Sequence, residues 1–342
     1  MSSTYNPERY DNNIILTRVR LARNVAGVPF IVKDKKVSKE IIKSVYLAVN
    51  KVEKFDLFYL KDFSPLRREA LKERHLISNY LMNNSEHSAV LLNKDESLSV
   101  MIHEEDVLRS QCFMRCFSPY EAYKRLSRLD DEIAKKLNYA YDNKLGYLTS
   151  CPTNVGTGLR ASVMLFLPAL TETGKIKQVI EKVEYLGLTV RGVYGEGSKA
   201  DGFTYQISNE VTLGVTEEEI ISKVSEAVLT VCEAERQTLE RYFSVSNANI
   251  RKVCFEAMDS FETAKSLSYE TFIDYISRVR LGVSLGLFSF KNPEAIDDLI
   301  ITARPANLCE YFGKNLSPEE RDVSRGYLVR NSLKIIKGEY DG

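Results

Sequence analysis

The chain lacks tryptophan and has only three histidines among its 342 residues. It contains no C-x-x-C pair, although it has six cysteines: Cys112, Cys116, Cys151, Cys232, Cys254 and Cys309. A chain of this length does not need disulfides to stabilise its core, so we expect reduced thiols in an intracellular protein. The cysteine and histidine spacings also fit no four-ligand metal site, so we predict no metal site, although a zinc site of Cys112, Cys116 and His103 is conceivable.

An excess of either charge is also missing, because 47 basic residues balance 47 acidic ones. No bulk field therefore favours nucleic acid or an anionic membrane, and any anion-binding site must be local. The most apolar stretch, Val163–Leu170, is short and contains Pro168, and the polar start of the chain has no apolar signal core. We predict a soluble, cytoplasmic protein with no direct nucleic-acid or membrane partner.

The chain divides into two regions of different pattern. From Ile14 to about Leu213, short apolar segments such as Ala89–Asn93 and Ser97–Ile102 are separated by Asn, Asp and Gly. This pattern predicts a mixed domain of helices and strands. A capping box at Thr216 then predicts the start of a helix that packs one apolar stripe onto the sheet.

Beyond Tyr242 the polar segment S-V-S-N-A-N indicates a linker, and helical patterns continue to the end of the chain. They include Tyr269–Leu281 and a helix that opens at Ser317. We therefore predict a first domain over residues 1–244 and a small all-helical domain over residues 245–342.

Two short motifs suggest an anion site and a cation site. In T-R-V-R, Arg18 and Arg20 project from the same face of a strand and could grip one polyphosphate, or they could be surface charges on an edge strand. In H-E-E-D-V-L-R, Glu105 lies between two other acids and precedes Arg109. Converging carboxylates need a cation, which a guanidinium substrate would supply, although an exposed acidic turn has the same pattern.

Two glycine-containing motifs complete the set. In C-P-T-N-V-G-T-G-L-R, the glycines permit close backbone approach to a ligand and Arg160 could bind phosphate, while Cys151 is either a favoured thiolate or an inert buried thiol. In R-G-V-Y-G-E-G-S, Arg191 could reach the same phosphates. Glu196 could close over a substrate, although a plain surface loop would have the same composition.

Taken in order, these four motifs resemble those of the phosphagen kinases, which phosphorylate guanidino groups. The resemblance implies an α+β, glutamine-synthetase-like catalytic domain with an antiparallel sheet flanked by helices. It implies an enzyme that uses ATP and Mg²⁺, with Glu105, Glu196 and Cys151 as catalytic residues. The arginines that would clamp the nucleotide phosphates are Arg18, Arg20, Arg109, Arg160 and Arg191.

The layout is similar to that of the bacterial protein-arginine kinases of the McsB type, because T-R-V-R begins at Thr17 and a helical module follows the catalytic motifs. In S-P-E-E-R-D-V-S-R-G, Arg321, Asp322 and Arg325 resemble that family's phosphoarginine-binding motif, with Gly326 in place of the usual alanine. An ordinary helix salt bridge has the same spacing.

This resemblance implies phosphorylation of protein arginines that marks proteins for Clp-dependent degradation in the stress response. It also implies a zinc-binding activator protein, a Clp-type ATPase and a heat-shock repressor as partners, and a homodimer or higher oligomer. Two alternatives remain open, a kinase of free arginine or another small guanidino compound, and a catalytically weak adaptor that binds phosphoarginine.

Overall fold

The computed structural model describes residues 13–192, 201–291 and 295–337. Ten strands lie within these residues, and eight of them form one antiparallel sheet in the order β2-β3-β4-β5-β1-β8-β10-β9. The strands are β1 Ile14–Arg23, β2 Phe55–Tyr59, β3 Ala89–Asn93, β4 Leu98–Ile102, β5 Leu108–Met114, β6 Tyr141–Asp142, β7 Gly146–Tyr147, β8 Leu159–Phe166, β9 Leu188–Gly192 and β10 Thr204–Asn209. The predicted α+β fold with an antiparallel sheet is confirmed.

Eleven α-helices surround or follow the sheet within the described residues. They are α1 Lys35–Val49, α2 Pro65–Glu73, α3 Asn79–Asn83, α4 Pro119–Ala134, α5 Pro168–Glu172, α6 Ile176–Tyr185, α7 Glu217–Thr263, α8 Tyr269–Ser284, α9 Ala295–Thr302, α10 Pro305–Tyr311 and α11 Pro318–Lys337. None of the described helices is long and apolar enough to cross a lipid bilayer.

The central strand β1 shows why the two faces of the sheet differ. Val19 and Leu21 are buried on one face, against a core that includes Val45 of α1, Leu126 of α4 and Val224 of α7. Full burial of an aliphatic side chain of this size stabilises a fold by about 1.5–3 kcal/mol. Because side chains alternate along a strand, the polar residues between them face the other way. That opposite face is where the candidate site lies.

Helix α7 begins as the sequence predicts and then continues further. Thr216 caps it, with its side chain accepting from the backbone N–H of Glu219 while the Glu219 carboxylate accepts from the backbone N–H of Thr216. The S-V-S-N-A-N segment, predicted to be a linker, lies within this helix, so that prediction was wrong. The helical backbone is interrupted there at Ser246, where φ is −115° and ψ is 20°.

The segment is helical because of tertiary packing, which its polar composition does not indicate. The segment contains no Gly or Pro that would end a helix. On either side of it, Phe243 and Ile250 pack in one apolar cluster with Phe166 of β8 and Leu281 of α8. The division of the chain at residue 244 remains a prediction.

A buried carboxylate under the sheet gives the fold a pH dependence. Glu235 of α7 is fully buried and accepts from the backbone N–H groups of Ala169 and Leu170, at 2.7 and 2.8 Å. Burial raises its pKa to about 7, against the opposing effect of those two N–H donors. The native state therefore holds a proton that the unfolded state has released between its ordinary pKa and about 7.

We expect this carboxyl to stabilise the fold fully below about pH 4.5 and to lose that contribution as the pH rises through about 7, by about 3 kcal/mol in all. The Glu235→Gln variant should therefore lose less stability than the wild type between pH 5 and pH 8, because its amide does not titrate. Urea unfolding at the two pH values measures both slopes. Identical pH dependence in the two proteins would contradict the prediction.

Candidate active site

The register of the sheet places four of the predicted arginines on its polar face. On β1, Arg20 lies directly opposite Arg160 of β8, and Arg18 lies opposite Ser162 of the same strand. On the other side of β1, Ala22 pairs with Arg109 of β5. Directly paired residues share a face, and residues two apart do so as well. The four guanidinium groups therefore project from one surface.

Arg191 joins the same face through two further strands. It pairs with Gln206 of β10, which pairs with Met164 of β8, and Met164 pairs with Leu16 of β1. Leu16 and Arg18 are two apart on β1 and therefore point to the same face. Since directly paired residues also share a face, Arg191 lies on the same face as Arg18. The structure thus brings all five predicted phosphate-binding arginines to one face of the sheet.

Burial and the charges of neighbouring arginines lower the pKa values of the two arginines on β1. Burial, followed by the charges of Arg109 and Arg160, lowers the pKa of Arg18 to about 9, and burial with the same neighbours and Arg18 lowers that of Arg20 well below its ordinary value. The buried Nε atoms of Arg20 and Arg160 have no hydrogen-bond partner among the described residues. Several guanidinium groups close together, some with unpaired N–H donors, form a site suited to a polyanion.

His75 lies beside this cluster and was missed at the sequence level. Its backbone has a φ of 62°, and its carbonyl oxygen accepts from the side-chain amide of Gln111 at 2.7 Å, while the Gln111 oxygen accepts from Arg18 at 2.6 Å. Burial and the charges of Arg18, Arg304 and Arg20 lower its pKa to about 3, so the imidazole is neutral at physiological pH. No motif marks this position, which only the fold brings to the arginines.

The three acids after β4 separate into different roles. Glu104 is buried and pairs with Arg109 at 2.8 Å, while its second oxygen accepts from the backbone N–H of Glu105 at 2.7 Å. Asp106 is also buried, but Glu105 is exposed. Of the three carboxylates, that of Glu105 is therefore the one available to a substrate cation.

Cys151 lies next to Glu105 because two hydrogen bonds join their loops. The Ser150 hydroxyl donates to the backbone carbonyl of Glu105 at 2.7 Å, and the Ser150 N–H donates to Oδ1 of Asp106 at 2.6 Å. Cys151 itself is half-buried, with its Sγ 3.0 Å from the hydroxyl of Thr153. The fold thus joins the two loops that carry the predicted catalytic residues Glu105 and Cys151, whose roles stay a prediction.

The two glycines of this loop serve the protein's own packing. At Gly156 a Cβ would collide with the carbonyl of Thr212, and at Gly158 it would lie 2.6 Å from both the Ala22 carbonyl and a guanidinium nitrogen of Arg23. Both have positive φ, at 112° and 64°. Close contact with neighbouring strands and loops therefore accounts for both glycines, and their approach to a ligand stays a prediction.

Glu196, the second predicted substrate carboxylate, lies outside the described residues. Its role as a catalytic residue therefore remains a prediction. The strand that precedes it, β9, ends at Gly192, one residue beyond Arg191.

The predicted phosphoarginine site lies on α11. Arg325 is almost fully buried and donates to the backbone carbonyls of Ala303 at 3.0 Å and Leu267 at 2.7 Å, and to Asp322 at 2.7 Å. Arg321 and Asp322 are half-buried. These contacts give Arg325 a structural role within the helical module, and the binding of phosphoarginine by Arg321, Asp322 and Arg325 stays a prediction.

We expect Arg325→Ala to destabilise the helical module by about 2–4 kcal/mol, because two buried carbonyls lose their donors and the side-chain volume is left empty. Thermal unfolding should show a lower Tm. Arg321→Ala, which removes a half-buried arginine of the same helix, is the control and should leave the Tm nearly unchanged. Equal Tm values for wild type and Arg325→Ala would contradict the structural role.

Gly326 allows α11 to pack closely on the turn after α7. A Cβ at this position would lie 3.1–3.2 Å from the backbone of Ala264 and Lys265. Glycine at this position permits close packing, which offsets its low helix propensity.

Among the described residues, no group of three or more histidine, cysteine, aspartate or glutamate side chains could hold a metal ion. The charged side chains of the site are mostly arginines. A metal ion would therefore enter the site already bound to an anionic ligand.

A cationic sheet face flanked by a carboxylate and a thiol is the arrangement expected of a guanidino phosphotransferase, and the chain matches family models of that class. Residues 36–238 match the family described as ATP:guanido phosphotransferase, C-terminal catalytic domain. Residues 248–341 match the protein-arginine kinase McsB C-terminal domain. The chain belongs to the ATP:guanido phosphotransferase family.

The relatives extend over nearly the whole chain. A protein-arginine kinase of Caldanaerobacter subterraneus is 40% identical over 95% of this chain and 98% of its own length. A protein-arginine kinase of Clostridium kluyveri is 39% identical over 97% of this chain and 98% of its own.

Solved structures support the fold alone. Lombricine kinase has a TM-score of 0.60 at 24% identity and covers 70% of each chain. The duplicated taurocyamine kinase of Schistosoma mansoni has a TM-score of 0.61 at 23% identity over 91% of this chain and 48% of its own. The expected phosphagen-kinase-like fold is confirmed.

Proposed function

We propose that this protein is a protein-arginine kinase, which transfers the γ-phosphate of ATP to arginine side chains of proteins. The observation that carries the proposal is the array of five arginines on one sheet face, beside the exposed carboxylate of Glu105. The relatives that match from end to end are named protein-arginine kinases, which favours a protein over a small molecule as acceptor.

The arginines would bind the triphosphate and stabilise the charge that spreads over the transferring group. Such electrostatic stabilisation supplies most of the catalysis in phosphoryl transfer. Because the strands fix the guanidinium groups before the nucleotide arrives, little reorganisation is needed during the reaction. Arg109 is held in this way by Glu104, and Arg18 by Gln111.

Magnesium would enter as the complex with ATP, where phosphate oxygens and water supply its ligands. The cationic face fits that complex, since the complex keeps a net negative charge. When bound, the ion would neutralise phosphate charge, and no described side chain is assigned to it.

The acceptor arginine would approach from the Glu105 side. One of its nitrogens forms the new bond to the γ-phosphorus as the bond from phosphorus to the β–γ bridging oxygen breaks, and ADP leaves with that electron pair. The nitrogen loses a proton to a carboxylate, which we assign to Glu105 together with Glu196. Cys151 would orient and polarise the same guanidinium.

We propose the wider setting from the resemblance to bacterial protein-arginine kinases. The protein would act in the cytoplasm in the stress response and mark proteins for a Clp-type ATPase and its protease. A zinc-binding activator protein and a heat-shock repressor would be partners, and the chain would assemble as a homodimer or higher oligomer.

The test is incubation of the purified protein with Mg-ATP and either an unfolded model protein or free arginine. Phosphate mapped to arginine side chains at neutral pH by mass spectrometry, and lost in Cys151→Ala and Glu105→Gln variants, would support the proposal. Phosphate on free arginine alone would establish a small-guanidino kinase. Binding of phosphoarginine with no transfer to either acceptor, with an activator present, would establish an adaptor.

A further inference from the structure

A cavity of about 270 Å³ lies between the polar sheet face and the helical module. Its sheet-side wall includes Leu16, His75, Phe113 and Met164. The same four residues also line a smaller recess that contains Arg18. The cavity therefore extends outward from the arginine cluster, where the phosphates of a nucleotide would be bound.

The opposite wall comes from helices that follow the catalytic sheet in the chain. Ile273 and Ile276 of α8 and Ile300 and Ile301 of α9 line it, with Ser277 and Asp297 among its polar groups. Apolar walls with a few polar groups are typical of sites for flat ring systems. A nucleotide whose phosphates lie on the arginines would extend its base toward this space.

One contact between the two walls centres on Glu73, the last residue of α2. Its carboxylate accepts from the backbone N–H groups of Ala306 and Asn307, at 3.0 and 2.9 Å, and from the Asn307 side chain at 2.8 Å. Arg304 donates to the Glu73 carbonyl. Glu73 is two residues before His75, so this contact fixes the module beside the wall that carries the imidazole.

A second contact holds α8 against the sheet. Gly202, just before β10, has a φ of 64°, and a Cβ there would collide with the Ser277 hydroxyl and lie 3.1 Å from Ile273. Arg280 of α8 pairs with Asp297 at 2.6 Å, with its guanidinium 5.2 Å from the ring centre of Phe166. Both contacts lie at the cavity, so its outer wall is built into the fold.

We infer that the helical module completes the nucleotide site, with Ile273 and Ile301 packing against the adenine ring or ribose of ATP. The inference rests on the proposed function, because the arginine cluster must hold the phosphates. It makes the module part of ATP binding, in addition to any contact with phosphoarginine. The arginines then supply affinity for the phosphates, and the module supplies affinity for the nucleoside.

Two anions separate these contributions in the full-length protein. ADP carries a base and ribose, and inorganic tripolyphosphate carries neither. We expect Ile273→Ala to weaken ADP binding about tenfold, since it removes apolar contact with the ring, and to leave tripolyphosphate binding unchanged. Ile301→Phe, which fills the cavity, should have the same selective effect. Calorimetric titration gives each Kd.

Val283→Ala is the matched control, because Val283 lies on the same helix and, like Ile273, packs against the core of the module, but it does not line the cavity. It should change neither Kd. An unchanged ADP affinity in both cavity variants, or an equal loss for ADP and tripolyphosphate, would overturn the inference and leave the proposed function standing. A wild type that binds neither anion would overturn both.

Discussion

Replacing Glu105 with glutamine should slow phosphoryl transfer to protein arginines by about 10²–10⁴-fold, the range expected for loss of a general base. The amide has the shape of the carboxylate but does not accept the acceptor arginine's proton or balance its charge. The arginines proposed to bind the phosphates lie on neighbouring strands and do not depend on this side chain. We therefore expect the Kd for ADP to stay within about twofold of the wild type.

Single-turnover transfer to an unfolded protein, together with ADP titration, measures both quantities. Glu121→Gln is the control, since Glu121 is an exposed acid in the first turn of α4, which packs on the other face of the sheet. It should transfer phosphate at the wild-type rate. Undiminished turnover in Glu105→Gln would remove Glu105 from the proposed mechanism.

The arginine face could be predicted from the sequence because it depends on local spacing. Arg18 and Arg20 are two apart on a strand, and period-two alternation puts them on one side whatever surrounds them. That Arg160 lies directly opposite Arg20 depends on the strand register, which the sequence does not state. The resemblance to known motifs predicted that Arg160 and Arg20 act together, and the strand pairing shows how they are placed.

In the acidic turn, residue spacing does not predict which side chains are buried. Glu104, Glu105 and Asp106 are adjacent, and no periodicity in a turn says which one faces solvent. The structure decides through partners far away in sequence or across a strand, Arg109 for Glu104 and Asn24 for Asp106. Only Glu105 is left exposed.

The helical module was predicted as a separate unit, but its contacts with the sheet were not. They depend on single residues such as Glu73 and Gly202, and no spacing in the sequence shows that these residues meet the helical module. The extension of α7 through the polar segment, with its interruption at Ser246, has the same origin, because Phe243 and Ile250 pack on either side of that segment. Tertiary contacts of this kind override local propensity.

Asp106 should be nearly as important as Glu105, although it is buried and its carboxylate is bound by the protein's own groups. Its Oδ1 accepts from Asn24 at 2.8 Å and from the Ser150 N–H at 2.6 Å, and the Asn24 oxygen accepts from the N–H of Val107 at 2.8 Å. These bonds tie the Glu105 turn to the Cys151 loop. We expect Asp106→Ala to lower kcat about 100-fold, because loss of the tie misplaces the two reacting loops by a fraction of an ångström to an ångström.

Asp106→Asn separates positioning from charge, since the asparagine oxygen accepts the same two hydrogen bonds. It should keep kcat within about threefold of the wild type. The KM for ATP should change little in either variant, because the arginines are held by the strands, and thermal unfolding will show whether Asp106→Ala remains folded at the assay temperature. A folded Asp106→Ala enzyme with full kcat would show that the tie is not needed. Equal damage in both variants would mean that the buried charge, and not the hydrogen-bonded position, is what the reaction requires.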